Sequence, residues 1–222
     1  MSELLDVASV IKREHDAVVM ETQIAQSPPL VASNNKDDVA RLPTRLRWHH
    51  PAVITELRDA KGTAFVVVCP TLHSTVLWVG TDNDHYRADY LSFLNDAYDL
   101  GVASIPPPYD VDHLYNRSRR IYGLQFIRLA LVADAPNRSH GAAYEKDITR
   151  NEASRERSDM KLMDEITSMK YFGFLSPLRD DPRESEIAAY ATFAASTMGL
   201  DREQIRNSVL YLRQKASTRW AR

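Results

Sequence analysis

The sequence predicts an α+β fold, and three observations lead there. Between residues 52 and 80 lie three short β-like runs, "AVITELR", "TAFVVVC" and "STVLWVG", joined by the turn-forming segments "DAKG" and "PTLH". Both ends of the chain carry apolar residues at three- and four-residue spacing, the period of amphipathic helices. The resulting order is helix, sheet, helix, loop–strand–loop, then helices, which segregates the two structure types as α+β folds do. At 222 residues, with 44% hydrophobic and 26% charged residues, the chain is long enough to bury a sizeable core.

Taken in order, residues 1–21 form an N-terminal helix whose stripe is Leu4, Ala8, Ile11, His15 and Val18, with His15 at its boundary. Residues 22–43, polar with Pro28–Pro29 and no clear period, read as a linker. The core is expected over 44–150. Its apolar run "TAFVVVC" is a central strand flanked in an antiparallel meander. A helix follows near 84–100, with Thr81 and Asp84 resembling a capping box, Gly101 as a stop, and Tyr86, Tyr90, Leu94 and Ala97 as the buried stripe. "LQFIRLALV", residues 124–132, is a further strand. From 151 to 222 the chain reads as helical, with two helices near 184–198 and 202–216.

The net charge of −2 leaves no global attraction to nucleic acid or acidic membranes, so any basic surface must be local. Cys69 is the only cysteine, which excludes an intramolecular disulfide and a cysteine-based zinc site. The N-terminus lacks the apolar run of a signal peptide, and no segment approaches the roughly 20 apolar residues that span a bilayer. The expectation is a cytoplasmic protein with no membrane partner. His49 and His50 alternate on a strand and read as structural or surface residues, and the carboxylates of "DNDH" as helix-terminal charges. No glycine-rich phosphate loop and no nucleophile elbow is present.

Two polar stretches stand out. In "PPPYDVDHLYNRSRR", residues 106–120, Asp112 and His113 are adjacent and are followed by Asn116 and arginines. A carboxylate and an imidazole can hold a divalent ion and activate water, and adjacent positions on a strand point to opposite faces. In "APNRSHGAAYEK", residues 135–146, Asn137 or Ser139 would cap a helix starting near 140, whose free N–H groups favour an anion. Arg117, Arg119, Arg120, Arg128 and Arg138 surround both stretches and suit phosphate.

Asp112–His113, the strand "FIRLALV" and "NRSHGAAYEK" together resemble the HNH-type (ββα-metal) nuclease superfamily over residues 109–147. The resemblance implies a metal-dependent phosphodiesterase acting on nucleic acid, by analogy a toxin, mobile-element or defence component. It implies His113 as general base and Asp112 as a ligand of Mg, Mn, Ni or Zn, with Asn137 or His140 completing the metal site. Lys146 would lie near phosphate. The asparagine that orients the base in the family falls on Arg128 here, and Asn116 would have to substitute for it.

A rival reading comes from "FAASTMGLDREQIRNSVLYLRQKA", where Ala195, Gly199 and Ile205 have the spacing of DNA-binding helix-turn-helix units, which the segment resembles. Asp201 and Gln204 cap its second helix. On this reading the chain is a non-catalytic protein that contacts nucleic acid or a protein partner through arginine-rich loops and this hairpin. Oligomeric state is not legible in the sequence.

Overall fold

The computed structural model describes residues 6–45, 52–116, 123–142, 144–145, 159–177 and 183–218. It is an α+β fold: a curled antiparallel sheet packed, among the described residues, against seven helices. The elements in chain order are α1 (Val7–Ala25), β1 (Leu30–Ser33), α2 (Lys36–Arg45), β2 (Val53–Glu56), β3 (Ala64–Cys69), a single 3₁₀ turn at Pro70–Leu72, β4 (Ser74–Gly80) and α3 (Tyr86–Tyr98). They continue with β5 (Tyr109–His113), β6 (Phe126–Ala133), α4 (Asp134–Ala142), β7 (Met160–Leu162), α5 (Glu165–Tyr171), α6 (Glu184–Met198) and α7 (Arg202–Thr218).

The strand order is β2-β3-β4-β6-β1-β7, with β5 paired to β6. β2, β3 and β4 form the expected meander, and β3 is interior to it. β6 is the hub, pairing with β4, β1 and β5. Its run Ile127–Val132 is buried throughout, as a strand covered on both faces must be.

α1 belongs to the main core: Val7, Val10 and Ile11 pack with Leu77, Val79, Tyr90, Phe93, Leu129 and Leu131. A second core joins α5, α6 and α7 through Ile166, Met169, Ile187, Ala191, Ala194, Ile205 and Val209. These three helices make one unit, with α7 outermost in the chain.

Several local expectations are corrected. Residues 22–43 are no plain linker: they complete α1, contribute β1 to the sheet between β6 and β7 and start α2. Pro28 and Pro29 end just before β1, where their missing N–H groups remove no ladder bond. α3 begins at Tyr86, and Asn83 rather than Thr81 organises its start, its side-chain Oδ1 accepting from the His85 N–H at 2.8 Å. The same helix ends at Asp99, in the left-handed region at φ 53°, two residues before Gly101. Phe93 takes the buried place expected of Ala97, which is exposed. Met160–Leu162 is a strand, not part of a helix. Trp48, His49 and His50 lie outside the described residues. No helix among the described residues is long and apolar enough to cross a membrane.

Candidate functional site

β5, β6 and α4 form a strand–strand–helix unit, with Asp112 opposite Ala130 and His113 opposite Leu129 in the β5–β6 ladder. Alternation along β5 therefore sends Asp112 and His113 to opposite faces of the sheet. On the Asp112 side the structure gathers residues from both polar stretches around Lys170, in the last turn of α5. Lys170 is 2% exposed and donates to Asp112 Oδ2 at 2.5 Å and to Glu145. Asn116 donates to the other Glu145 oxygen at 2.9 Å. His140, 1% exposed, meets the Phe174 carbonyl through Nε2 at 3.0 Å. A carbonyl only accepts, so this nitrogen carries the proton.

The charges follow from the geometry. Burial alone would lower the Lys170 pKa, but Asp112 and Glu145 outweigh it and hold the ammonium above its ordinary range. Burial acts to raise Glu145, yet Lys170 overrides it and leaves that carboxyl low, whereas for Asp112 burial prevails and the shift is upward. Burial, with the Lys170 charge second, brings His140 down to about 4, so its imidazole is neutral near pH 7.

The other residues expected at the site lie elsewhere. His113 is 6% exposed and packs its ring against Tyr86 of α3, with centroids 4.3 Å apart. Arg128, 4% exposed, is paired with Glu21 of α1 at 3.4 Å and stands next to Trp78 in the ladder. It cannot orient His113 from there. α4 starts at Asp134, not near 140, so Asn137, Ser139 and His140 sit inside the helix, where no free N–H groups remain for an anion. Asn137 makes no hydrogen bond to the Lys170 cluster. Arg138 is exposed and pairs with Asp134 at 3.1 Å. Arg117, Arg119, Arg120 and Lys146 lie outside the described residues.

A divalent ion does not fit this arrangement as it stands. The space between the two carboxylates is filled by the Lys170 ammonium, and no group of three or more metal-ligating side chains occurs among the described residues. Two members of the cluster escaped the sequence reading. Glu145 was visible only as part of a charged triplet, and Lys170 sits in "SMKYFGF", where a lone lysine within an apolar run is the signal of a buried charge.

The second surface of interest is the α6–α7 hairpin. Gly199 makes the turn at φ 72°, and Asp201 caps α7 by accepting from the Gln204 N–H at 2.7 Å. Ala194, fully buried, and not the half-buried Ala195, is the small residue at the core of the crossing, and Ile205 closes it. Ser208 donates to Glu165 of α5 at 2.7 Å, tying α7 to α5. Away from that core α7 exposes Arg202, Glu203, Gln204, Arg206, Asn207, Tyr211, Gln214 and Lys215 to solvent, Tyr211 at 61%, and Arg206 pairs with Glu184 of α6 at 3.1 Å.

No protein-family model matches this chain, and neither a curated protein nor a solved structure matches it.

Proposed function

We propose that this protein binds nucleic acid through the solvent face of α7 and does not cleave it. One observation carries the reading: α7 buries Ile205, Val209 and Ala216 against α5 and α6 while presenting arginine, glutamine, asparagine, tyrosine and lysine outward with a single glutamate, Glu203, among them; Arg206 pairs with Glu184 of α6 at 3.1 Å and would exchange that exposed partner for phosphate. Those side chains supply what nucleic acids take: cations for phosphate, amides and guanidinium for base edges, and an aromatic ring on which a base can stack. Three helices, the last exposing one side among the described residues, have the layout of the helix-turn-helix units that the sequence resembles. The same reading keeps the protein in the cytoplasm.

Two features weigh against an HNH-type cleavage centre. Asp112 is neutralised by a buried ammonium, and His113, the residue that would activate water, is buried on the opposite face of the sheet. Arg117, Arg119 and Arg120 follow Asn116 directly in sequence and would add phosphate contacts to the binder.

Fluorescence anisotropy with labelled duplex and single-stranded oligonucleotides tests this. If Arg202, Arg206 and Lys215 each meet a phosphate, affinity falls about 40-fold on raising salt from about 50 to about 200 mM, following a log–log slope of about −2.7. Arg206→Ala and Asn207→Ala should weaken binding without shifting the unfolding transition. Absence of salt-dependent binding would leave a protein partner as the occupant of this face. A parallel assay with supercoiled plasmid and Mg²⁺, Mn²⁺, Ni²⁺ or EDTA should show no metal-dependent cutting. Cutting that His113→Ala abolishes in a folded chain would reinstate the nuclease.

A further inference from the structure

A cleft of about 380 Å³ opens between α1, the turn at Pro70–Leu72 and the C-terminal end of α3. Arg13, Glu14, Ser74, Asp96, Tyr98 and Asp99 line it. It is distant in kind from both surfaces described above, since its chemistry is acidic.

With both ionised, the carboxyl groups behind the cleft would outnumber the cations. Two glutamates of α1, Glu14 and Glu21, face one guanidinium, Arg128, which is committed to Glu21 at 3.4 Å. Glu14 is 6% exposed, and its hydrogen bonds among the described residues come from a single neutral donor, the Tyr90 hydroxyl, at 3.0 and 3.2 Å. A buried carboxylate held by one phenol is expensive to ionise, and a cation brought to it from the cleft would restore the balance. Asp96, Asp99 and the C-terminal end of α3 add further negative potential at the mouth, where Arg13 and His73 are the basic side chains.

A second observation points to a ligand. Ser74 is 7% exposed, lines the cleft, and its hydroxyl has no hydrogen-bond partner among the described residues. The hydroxyl is reached by solvent from the cleft, so a polar group of a guest could take the place of water there. Tyr98, whose hydroxyl donates to the Thr75 carbonyl at 3.2 Å, forms a rigid wall beside it.

We propose that this cleft binds a small organic cation, a protonated primary amine or a guanidinium of metabolite size, with Glu14 as its counter-ion and Ser74 as a hydrogen-bonding contact. The volume falls in the range of ordinary small-molecule sites. The pairing of a buried carboxylate with a delocalised or ammonium cation favours this class over a neutral or anionic one. The proposal does not depend on the α7 surface, and either can fail alone.

Isothermal titration with putrescine and agmatine, against n-butanol and acetate as neutral and anionic controls, tests it directly. The amines should bind and the controls should not. Glu14→Gln, which keeps an acceptor for Tyr90, should weaken amine binding about ten- to a hundredfold, the value of a charge-assisted hydrogen bond. Asp37→Asn, on the exposed start of α2, should leave it unchanged. Should Glu14→Gln fail to fold, Ser74→Ala and Asp96→Asn take its place, each expected to weaken binding severalfold while unfolding cooperatively. No heat from the amines, equal binding of n-butanol, or amine affinity unchanged in these variants would overturn the proposal.

Discussion

Lys170 illustrates how one side chain sets the character of a site. Its ammonium is removed from water and held by Asp112 of β5 and Glu145 beyond α4, joining three segments of the fold at one point. Such a pair is not a large net source of stability, but removing one partner strands the other charges in a poor solvent. Lys170→Met should therefore cost about 3 kcal/mol or more in urea unfolding, and adding Asp112→Asn with Glu145→Gln should recover much of the loss. Glu14 gives the complementary case. Burial raises its folded-state pKa to about 7, against the Arg128 charge and the Tyr90 hydrogen bond, from an ordinary carboxylate value near 4.5. Its protonated form is the one the fold favours, so its contribution is complete below about pH 4.5 and is lost as pH rises through about 7. His15 and His140, both brought down to about 4 by burial, titrate the other way, contributing above about pH 6.5 and losing that contribution as pH falls. The clean measurement is thus a difference: between about pH 4.5 and pH 8, the stability of Glu14→Gln should gain about 3 kcal/mol relative to the parent chain.

At the scale of elements, what the chain needs locally was legible. The meander β2–β3–β4 follows from β-branched runs cut by turn residues, and α6 and α7 follow from apolar spacing with a glycine between them. Gly199 is needed for its backbone alone: φ is 72°, and a Cβ there would meet nothing within 4 Å. Gly199→Ala should accordingly cost about 1 kcal/mol in thermal or urea unfolding, with no change in the packing of Ala194 against Ile205. The elements misread were those whose partners are distant. β1 is four residues long and preceded by two prolines, and only its seat between β6 and β7 makes it a strand. α4 starts at Asp134, directly after β6, because the chain leaves the sheet with an acidic residue at the helix start, where the dipole favours it.

Across the whole molecule, α1 is a structural member of the sheet's core. Val7, Val10 and Ile11 cover Leu77, Val79 and Tyr90, while Glu14 and Glu21 satisfy groups of α3 and β6 from the same helix. A chain beginning at residue 27 should lose its cooperative unfolding transition and its near-ultraviolet circular dichroism, because it would expose the main core and leave Arg128 buried without its partner. A truncated chain that still unfolds cooperatively would show α1 to be an appendage. The α5–α6–α7 unit, with its own apolar cluster, fixes how the outer face of α7 is presented, so a binding surface there is set by helix packing and not by loops.

The sequence by itself determined the α+β class, the antiparallel runs, the C-terminal hairpin and the two polar stretches, since each is written in short-range periodicity, turn chemistry and composition. It also placed Asp112 and His113 on opposite faces, since a strand alternates. Only the tertiary structure decided who meets whom. Asp112 faces Lys170, 58 residues away, and Glu14 faces Tyr90, 76 residues away. Arg128 turns from the expected catalytic neighbourhood to Glu21, 107 residues before it. The reason is physical: local pattern encodes which side of an element is buried, whereas the charge that answers a buried charge depends on how elements pack. That packing is what sets Asp112 beside Lys170 and Glu145 in an ion-pair cluster.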